Sequence, residues 1–87
     1  MISRKVVISN PSGLHVRPAG VLSRAAEQCS SRIELISGTN TVNCRSILNI
    51  LSAAVGSGDE VELQCTGPEE EKDLEYMISV IQKGLEP

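Results

Sequence analysis

The sequence predicts an α+β domain in which four antiparallel strands carry three helices on one face, in the order βαββαβα. Four short segments alternate apolar and polar residues, which is typical of strands with one buried face. Three other segments repeat apolar residues at helical spacing, and turns rich in Gly, Pro, Asn and Ser separate the elements. Such a sheet buries its apolar face under helices. The 87 residues suffice for a single domain, residues 1–87.

The first strand and the first helix enclose a turn at residues 10–13, "NPSG". The strand covers "RKVVIS", residues 4–9, whose β-branched residues favour extended structure. The helix covers residues 16–28, and Pro18 fits its first turn, where a missing N–H costs nothing. Gly20 weakens this helix, which suggests the close approach of a neighbour. The inward-facing residues are predicted to be Ile2, Val6 and Ile8 in the strand and Ala19, Leu22 and Ala26 in the helix.

A hairpin and a short helix follow. "RIELIS", residues 32–37, predicts the second strand and "TVNC", residues 41–44, predicts the third, with "SGTN" as the turn between them. "SILNILSAAV", residues 46–55, predicts a short helix with Ser46 at its N-cap position. The inward-facing positions are predicted to be Ile33 and Leu35, then Val42 and Cys44, and finally Ile47, Ile50 and Ala54.

The last strand and the last helix have the clearest patterns. "EVELQCT", residues 60–66, alternates without exception, so Val61, Leu63 and Cys65 are predicted to face the core. The helix lies within residues 67–84, where Glu69 to Glu71 bring negative charge to its positive end and Gly84 marks its end. Its apolar stripe is predicted to consist of Leu74, Met77, Ile78, Ile81 and Leu85.

Composition argues against several classes of function. The net charge of -3 disfavours non-specific nucleic-acid binding, and one aromatic residue cannot form a base-stacking surface. One histidine and three widely spaced cysteines suit neither a zinc site nor a disulfide framework, so we expect reduced, buried cysteines and no metal. Neither an apolar run of about 18 residues nor a signal peptide is recognisable. We therefore expect a cytoplasmic protein without membrane insertion or cofactor.

The one histidine, His15, stands just before the predicted start of the first helix. Unpaired backbone N–H groups and the helix dipole favour an anion at such a position. Arg17 adds a guanidinium whose geometry matches phosphate oxygens. A phosphoryl group on this imidazole would place its negative charge where donors already lie. The residues alone leave two interpretations open: His15 is a phosphoryl acceptor, or it is an ordinary solvated histidine in a turn.

Two segments resemble the motifs of one known family. "GLHVRPAG", residues 13–20, is similar to the active-site signature of HPr, the histidine phosphocarrier of the bacterial phosphoenolpyruvate-dependent sugar phosphotransferase system. "VNCRSILNILS", residues 42–52, resembles the second HPr hallmark, the segment with the regulatory serine. Chain length and element order also agree, so the resemblance covers essentially the whole chain. It implies the open-faced β-sandwich of that family.

The resemblance also implies roles for individual residues. His15 aligns with the histidine that is phosphorylated, through attack by its Nδ1, and Arg17 aligns with the arginine that assists the transfer. Ser12 stands where a side chain can cap the region beside the histidine. The backbone N–H of Val16 and the ring of Pro18 belong to the same phosphate site.

Partners follow from the same resemblance. Enzyme I would be the phosphoryl donor and sugar-specific IIA domains the acceptors, so the chain would be a carrier rather than an enzyme. Ser46 aligns with the serine that an ATP-dependent HPr kinase/phosphorylase modifies in many low-GC Gram-positive bacteria, where the modified form binds a catabolite-control transcription factor. The alternative is an HPr-like regulatory module acting mainly through Ser46 and an apolar patch at Leu48 and Leu51. We expect a monomer that does not bind nucleic acid directly.

The predicted docking surface combines apolar and basic side chains. Leu48 and Leu51 lie off the inward stripe of the second helix, so they form an exposed patch for partners, or the helix is buried nearly all round. Basic side chains around a patch would steer an acidic partner to it, although Arg24 alone is equally well explained as a solvated cation. The residues predicted to contact partners are Gly20, Arg24, Arg45, Ile47, Leu48 and Leu51.

Five positions depart from the family pattern, the last two being Leu48 and Leu51. Val16 stands where a smaller residue is usual, and Asn49 and Ala54 stand where glycines are common. Leucines also replace the frequent methionines of the second motif. We expect these changes to affect contacts with the kinase and the transcription factor more than the chemistry of His15.

Overall fold

The computed structural model describes residues 1–85 and confirms the order βαββαβα. Its strands are β1 (Ile2–Val7), β2 (Arg32–Ser37), β3 (Asn40–Asn43) and β4 (Glu60–Thr66). Its helices are α1 (Val16–Glu27), α2 (Ile47–Ser52) and α3 (Glu70–Gln82). The sheet has the strand order β1-β4-β2-β3, and every neighbouring pair is antiparallel. The chain thus adopts the predicted α+β fold.

The alternation of β4 determines which face of the sheet the helices cover. Val61, Leu63 and Cys65 are buried, and β2 contributes Ile33 and Leu35 to the same core. Burial of each large aliphatic side chain contributes about 1.5–3 kcal/mol, so this face holds the helices firmly. All five apolar residues predicted for α3 and its C-terminal flank are buried as well, namely Leu74, Met77, Ile78, Ile81 and Leu85.

The edge strand β1 is only partly apolar on its helix-facing side. Ile2 and Val6 pack against the core, but Arg4 lies opposite Leu63 at a helix-facing position of the register. Arg4 remains exposed because no further strand flanks β1 in this sheet. A charged side chain at this position disfavours pairing of the edge with another sheet.

Helix α2 is shorter than the sequence predicts. It ends at Ser52, with Ala53 as its C-cap and Ala54 in the left-handed region at φ 52°. The prediction that Ile47 and Ala54 face the core is therefore wrong, because a six-residue helix makes fewer than two turns and cannot carry a stripe that spans seven positions. Ile50 is buried as predicted, and Ala53 is the alanine that this segment buries in place of Ala54.

Buried polar groups stabilise the end of the molecule where α1 stops and α3 starts. The Asp73 carboxylate is 4% exposed and accepts a hydrogen bond from the N–H of Ser31 at 2.9 Å. Burial opposes ionisation of Asp73, but nearby donors, among them the N–H of Ser31, outweigh it and hold the pKa of this carboxyl below its usual value. The carboxylates in the first turn of α3 also complement its dipole, as predicted.

The three cysteines are free and buried, in agreement with the sequence. Burial is the main cause that raises the pKa of Cys29 and Cys65 to about 11 and that of Cys44 to about 12. These thiols behave as small apolar side chains rather than nucleophiles. Across residues 1–85, no helix has the length and apolar character needed to cross a membrane.

Candidate functional site

The turn before α1 holds the chain close to the loop that follows α2. Gly13 has φ 68°, and a Cβ at this position would lie only 2.6 Å from the carbonyl oxygen of Val55. Only glycine fits there. The next N–H, that of Leu14, donates to the same Val55 oxygen at 3.0 Å. The loop after α2 thereby fixes the position of the backbone at the start of α1.

His15 is the N-cap residue of α1, as the sequence predicts. Its backbone is extended, at φ -87° and ψ -170°, and its carbonyl accepts the first helical hydrogen bond from Ala19 at 2.9 Å. The exposed imidazole makes no capping bond, so its nitrogens are not engaged with the helix. Within residues 1–85, the N–H groups of Val16 and Arg17 have no acceptor either. Pro18 has no N–H to offer, which leaves two free donors beside the imidazole.

The charges around His15 are positive. The first turn of α1 contains no acidic residue, and the exposed Arg17 makes no ion pair with any described residue. The Arg24 side chain extends toward the N-terminal end of the helix, and its Nη1 lies 3.4 Å from where a Cβ on Gly20 would be. Two uncommitted arginines on one helix favour an anion at its N-terminal end.

Two predicted residues have different surroundings from those expected. Among residues 1–85, no neighbouring element approaches Gly20, because a Cβ placed there would meet only the Arg24 side chain of the same helix. Ser12 is exposed, and its hydroxyl forms no hydrogen bond within the part of the chain that the structure describes. A capping function for Ser12 therefore has no contact to support it.

Arg45 stabilises the C-terminal end of α1 and is not a free cation beside Leu48 and Leu51. Its Nη2 donates to the carbonyl oxygens of Cys29 at 2.6 Å and Ser31 at 3.0 Å. Its own carbonyl accepts a bond from the Ser23 hydroxyl at 3.0 Å. A cation at this place complements the negative end of the α1 dipole. Among the described residues, Arg45 is thus tied to the backbone, unlike Arg17 and Arg24.

Ser46 is the N-cap of α2, as predicted. Its Oγ accepts a hydrogen bond from the N–H of Asn49 at 3.2 Å, which satisfies one of the free donors of the first turn. The Asn43 side chain holds the preceding residue by accepting from the N–H of Arg45 at 2.9 Å. The hydroxyl of Ser46 is partly exposed and lies at the positive end of a short helix.

Exposed apolar side chains lie at the start of both α1 and α2, which pack against each other. The exposed fractions are 66% for Val16, 39% for Ile47 and 78% for Leu48, whereas Leu51 is half-buried against the core. We call Val16, Ile47, Leu48 and Leu51 the apolar patch. Its exposure contradicts the interpretation of α2 as a helix buried nearly all round.

Sequence reasoning missed Asn10, which is 4% exposed. Its Nδ2 donates to the carbonyl oxygen of Gly13, and its own carbonyl accepts from the N–H of Gly13 at 3.0 Å. A signal was present, since asparagine directly before Pro-x-Gly commonly closes a turn with its side chain. No group of three His, Cys, Asp or Glu side chains among the described residues could hold a metal.

Comparison with known proteins agrees with this geometry. The family model described as "PTS HPr component phosphorylation site" matches residues 2–83. The phosphocarrier protein HPr of Treponema pallidum is 35% identical over 86 residues, covering 99% of this chain and 98% of its own. The HPr-like protein Crh of Bacillus subtilis is 32% identical over 85 residues, covering 98% of this chain and 100% of its own.

Solved structures give the same result. The crystal structure of HPr from Thermoanaerobacter tengcongensis superimposes with a TM-score of 0.93 at 32% identity, covering 98% of this chain and 96% of its own. An HPr dimer from the same organism superimposes with a TM-score of 0.78 at 31% identity, with full coverage of both chains. Since a dimer exists among these relatives, the expected monomer stays a prediction. The fold, the family model and the full-length relatives together show that the chain belongs to the HPr family of phosphocarrier proteins of the phosphotransferase system.

Proposed function

We propose that this chain carries a phosphoryl group on His15, which it accepts from enzyme I and passes to sugar-specific IIA domains. The observation that carries the proposal is the exposed, unengaged imidazole at the N-cap of α1, next to two free N–H groups and Arg17. Membership in a phosphocarrier family supports the same chemistry. A carrier of this kind would act in the cytoplasm, where its partners would have access to the exposed site.

The transfer conserves every atom of the phosphoryl group. A lone pair on the unprotonated Nδ1 of His15 attacks phosphorus, a P–N bond forms, and the bond between phosphorus and enzyme I breaks with its electron pair staying on enzyme I. The N–H groups of Val16 and Arg17 and the Arg17 guanidinium stabilise the oxygens of the phosphoryl group. Attack by an atom of the IIA domain then reverses these bond changes at His15.

Docking would use the apolar patch and the free arginines. The patch supplies apolar area for an interface, and the uncommitted charges of Arg17 and Arg24 favour an acidic partner. The net charge of the whole chain is -3, so attraction must come from this local arrangement. Arg45 contributes indirectly, because its contacts stabilise the end of α1.

Labelling with radioactive phosphoenolpyruvate and enzyme I tests the proposal. The unaltered chain is expected to acquire an acid-labile phosphate, and His15→Ala to acquire none while keeping its fold, since the imidazole is exposed and uncapped. Ser12→Ala is the matched control, because this exposed hydroxyl has no contact to lose. An unlabelled wild-type chain would refute the carrier function, and label that persists on His15→Ala would refute the assignment of the acceptor.

Phosphorylation of Ser46 would regulate the transfer. A phosphate there carries about two negative charges at pH 7 and lies at a helix N-terminus, where α2 tolerates it. Because it would be part of the surface beside Ile47 and Leu48, it would repel an acidic enzyme I. We expect Ser46→Asp to slow labelling of His15, with Ser46→Ala as the control that removes the cap without adding charge. Equal rates for Ser46→Asp and Ser46→Ala would count against regulation by repulsion.

A second candidate is a regulatory module of the same fold that acts mainly through Ser46 and the patch residues Leu48 and Leu51. It rests on the similarity to Crh proteins, at 31–32% identity, which nearly equals the similarity to HPr phosphocarriers. Binding of an HPr kinase/phosphorylase and of a catabolite-control transcription factor would belong to this function. A chain that is modified at Ser46 by the kinase but receives no label from enzyme I would favour it.

A further inference from the structure

We infer that Asn10 is a positioning residue for His15: its buried side chain fixes the peptide unit that sets the imidazole in place. This inference rests on the proposed phosphoryl transfer. Asn10 lies in the link between β1 and α1, five residues before the acceptor, and its side chain donates to Gly13 rather than to His15. Its effect on transfer would therefore pass entirely through the backbone.

Both polar groups of Gly13 are bound by Asn10. The N–H of Gly13 donates to the backbone carbonyl of Asn10 at 3.0 Å, and the carbonyl of Gly13 accepts from Asn10 Nδ2 at 2.5 Å. Pro11 restricts the backbone of the same turn to one narrow range of φ. The turn thus has two hydrogen bonds and a rigid ring where many turns have a single bond.

The peptide unit between Gly13 and Leu14 is held from opposite sides. Asn10 Nδ2 binds its oxygen, and the carbonyl of Val55 binds its N–H at 3.0 Å. On the other side of His15, the hydrogen bond from Ala19 fixes the first turn of α1. The backbone is hydrogen-bonded immediately before and after His15, so the Cα–Cβ bond from which the imidazole extends has a fixed direction.

Such rigidity matters for phosphoryl transfer because reactivity depends steeply on how the nucleophile is aligned. Removal of the Asn10 amide would leave the buried carbonyl of Gly13 without its donor and release one side of this peptide unit. The apolar patch should remain intact, since its side chains extend from α1 and α2, whereas Asn10 lies in the link before α1. The rate of transfer should fall while docking stays unchanged.

The test compares kcat and KM of the chain as a substrate of enzyme I, at a temperature where all variants are fully folded. We expect Asn10→Ala and the isosteric Asn10→Asp, which has no donor when ionised, each to lower kcat about tenfold or more with KM within about twofold. Asp73→Ala is the matched control. It leaves the buried N–H of Ser31, which lies beyond the C-terminal end of α1, without an acceptor, and it should leave kcat unchanged.

The outcomes separate the inference from the proposed function. An unlabelled wild-type chain refutes the carrier function itself. A labelled wild-type chain with unchanged kcat in Asn10→Asp, a change in KM alone, or an equal loss of kcat in Asp73→Ala overturns the positioning function of Asn10.

Hydrogen exchange on the wild-type chain provides a test that does not depend on a folded variant. The amides of Gly13 and Leu14 should be protected as strongly as those of β4, whereas the unpaired amide of Val16 should exchange freely. Exchange of Gly13 and Leu14 at the rate of Val16 would show a mobile turn and overturn the inference.

Discussion

Ala54 provides a sharp quantitative test of the geometry beside the site. Its φ of 52° lies in the left-handed region, which costs a residue with a Cβ about 1–2 kcal/mol. Ala54→Gly removes that cost but adds about 0.4–1 kcal/mol of chain entropy to the unfolded state. Ala54 is exposed, so no burial is lost. We therefore expect Ala54→Gly to stabilise the fold by about 0.5–1 kcal/mol.

A thermal melt can resolve a change of this size. An unfolding entropy of about 2.1 cal/mol/K per residue gives about 180 cal/mol/K for 87 residues, so the Tm should rise by about 3–6 °C. Ala53→Gly is the matched control: Ala53 has φ -74° and is 7% exposed, so glycine relieves nothing there and should lower stability by about 1–2 kcal/mol. An unchanged or lower Tm for Ala54→Gly would refute the assignment of backbone strain to this residue.

Three further outcomes follow from the described contacts. Arg17→Ala should slow labelling of His15 at least about tenfold without a change in Tm, because this arginine is exposed and forms no ion pair with any described residue. Lys5→Ala removes an exposed cation from the sheet and is the control. Equal slowing by Lys5→Ala would argue against a local effect of Arg17. Leu63→Ala should cost about 2–5 kcal/mol in urea unfolding, and a loss below about 1 kcal/mol would contradict its central burial. The pKa values of the three thiols are raised to about 11–12 from an ordinary 9.0, so the thiols favour the protonated folded state. Their contribution to stability should be constant below pH 9 and should be lost between pH 9 and 12. A flat profile between pH 9 and 12 in urea titrations would speak against it.

The elements with long, one-sided patterns could be predicted from the sequence. β4 and α3 each repeat their periodicity often enough for the buried positions to follow from it, and their inward residues were predicted correctly. The N-cap position of His15 followed from the turn before it and from Pro18 after it, which are local signals. Local signals thus determined the position of the imidazole, although they could not determine its function.

Features that depend on distant contacts could not be predicted in this way. The early end of α2 rests on the left-handed backbone of Ala54, which alanine does not favour; the glycine common at this position in similar sequences pointed to it only indirectly. The contacts of Arg45 require carbonyls 14 and 16 positions earlier in the chain. These partners are backbone groups, which composition and periodicity do not reveal.

The strand order has a consequence for how the protein gains its function during synthesis. The turn at His15 extends from β1, and besides the local bonds of Asn10 the groups that fix it come from residues more than forty positions later: Leu14 binds Val55, and Ile8 binds Gly58 and Asp59. Contacts with such sequence separation form late, because closing a long loop precedes any gain from them. A nascent chain that has not yet released β4 from the ribosome would thus lack an organised acceptor. Phosphorylation of His15 would then begin only once folding is complete, so an incomplete chain would not accept phosphoryl groups from enzyme I.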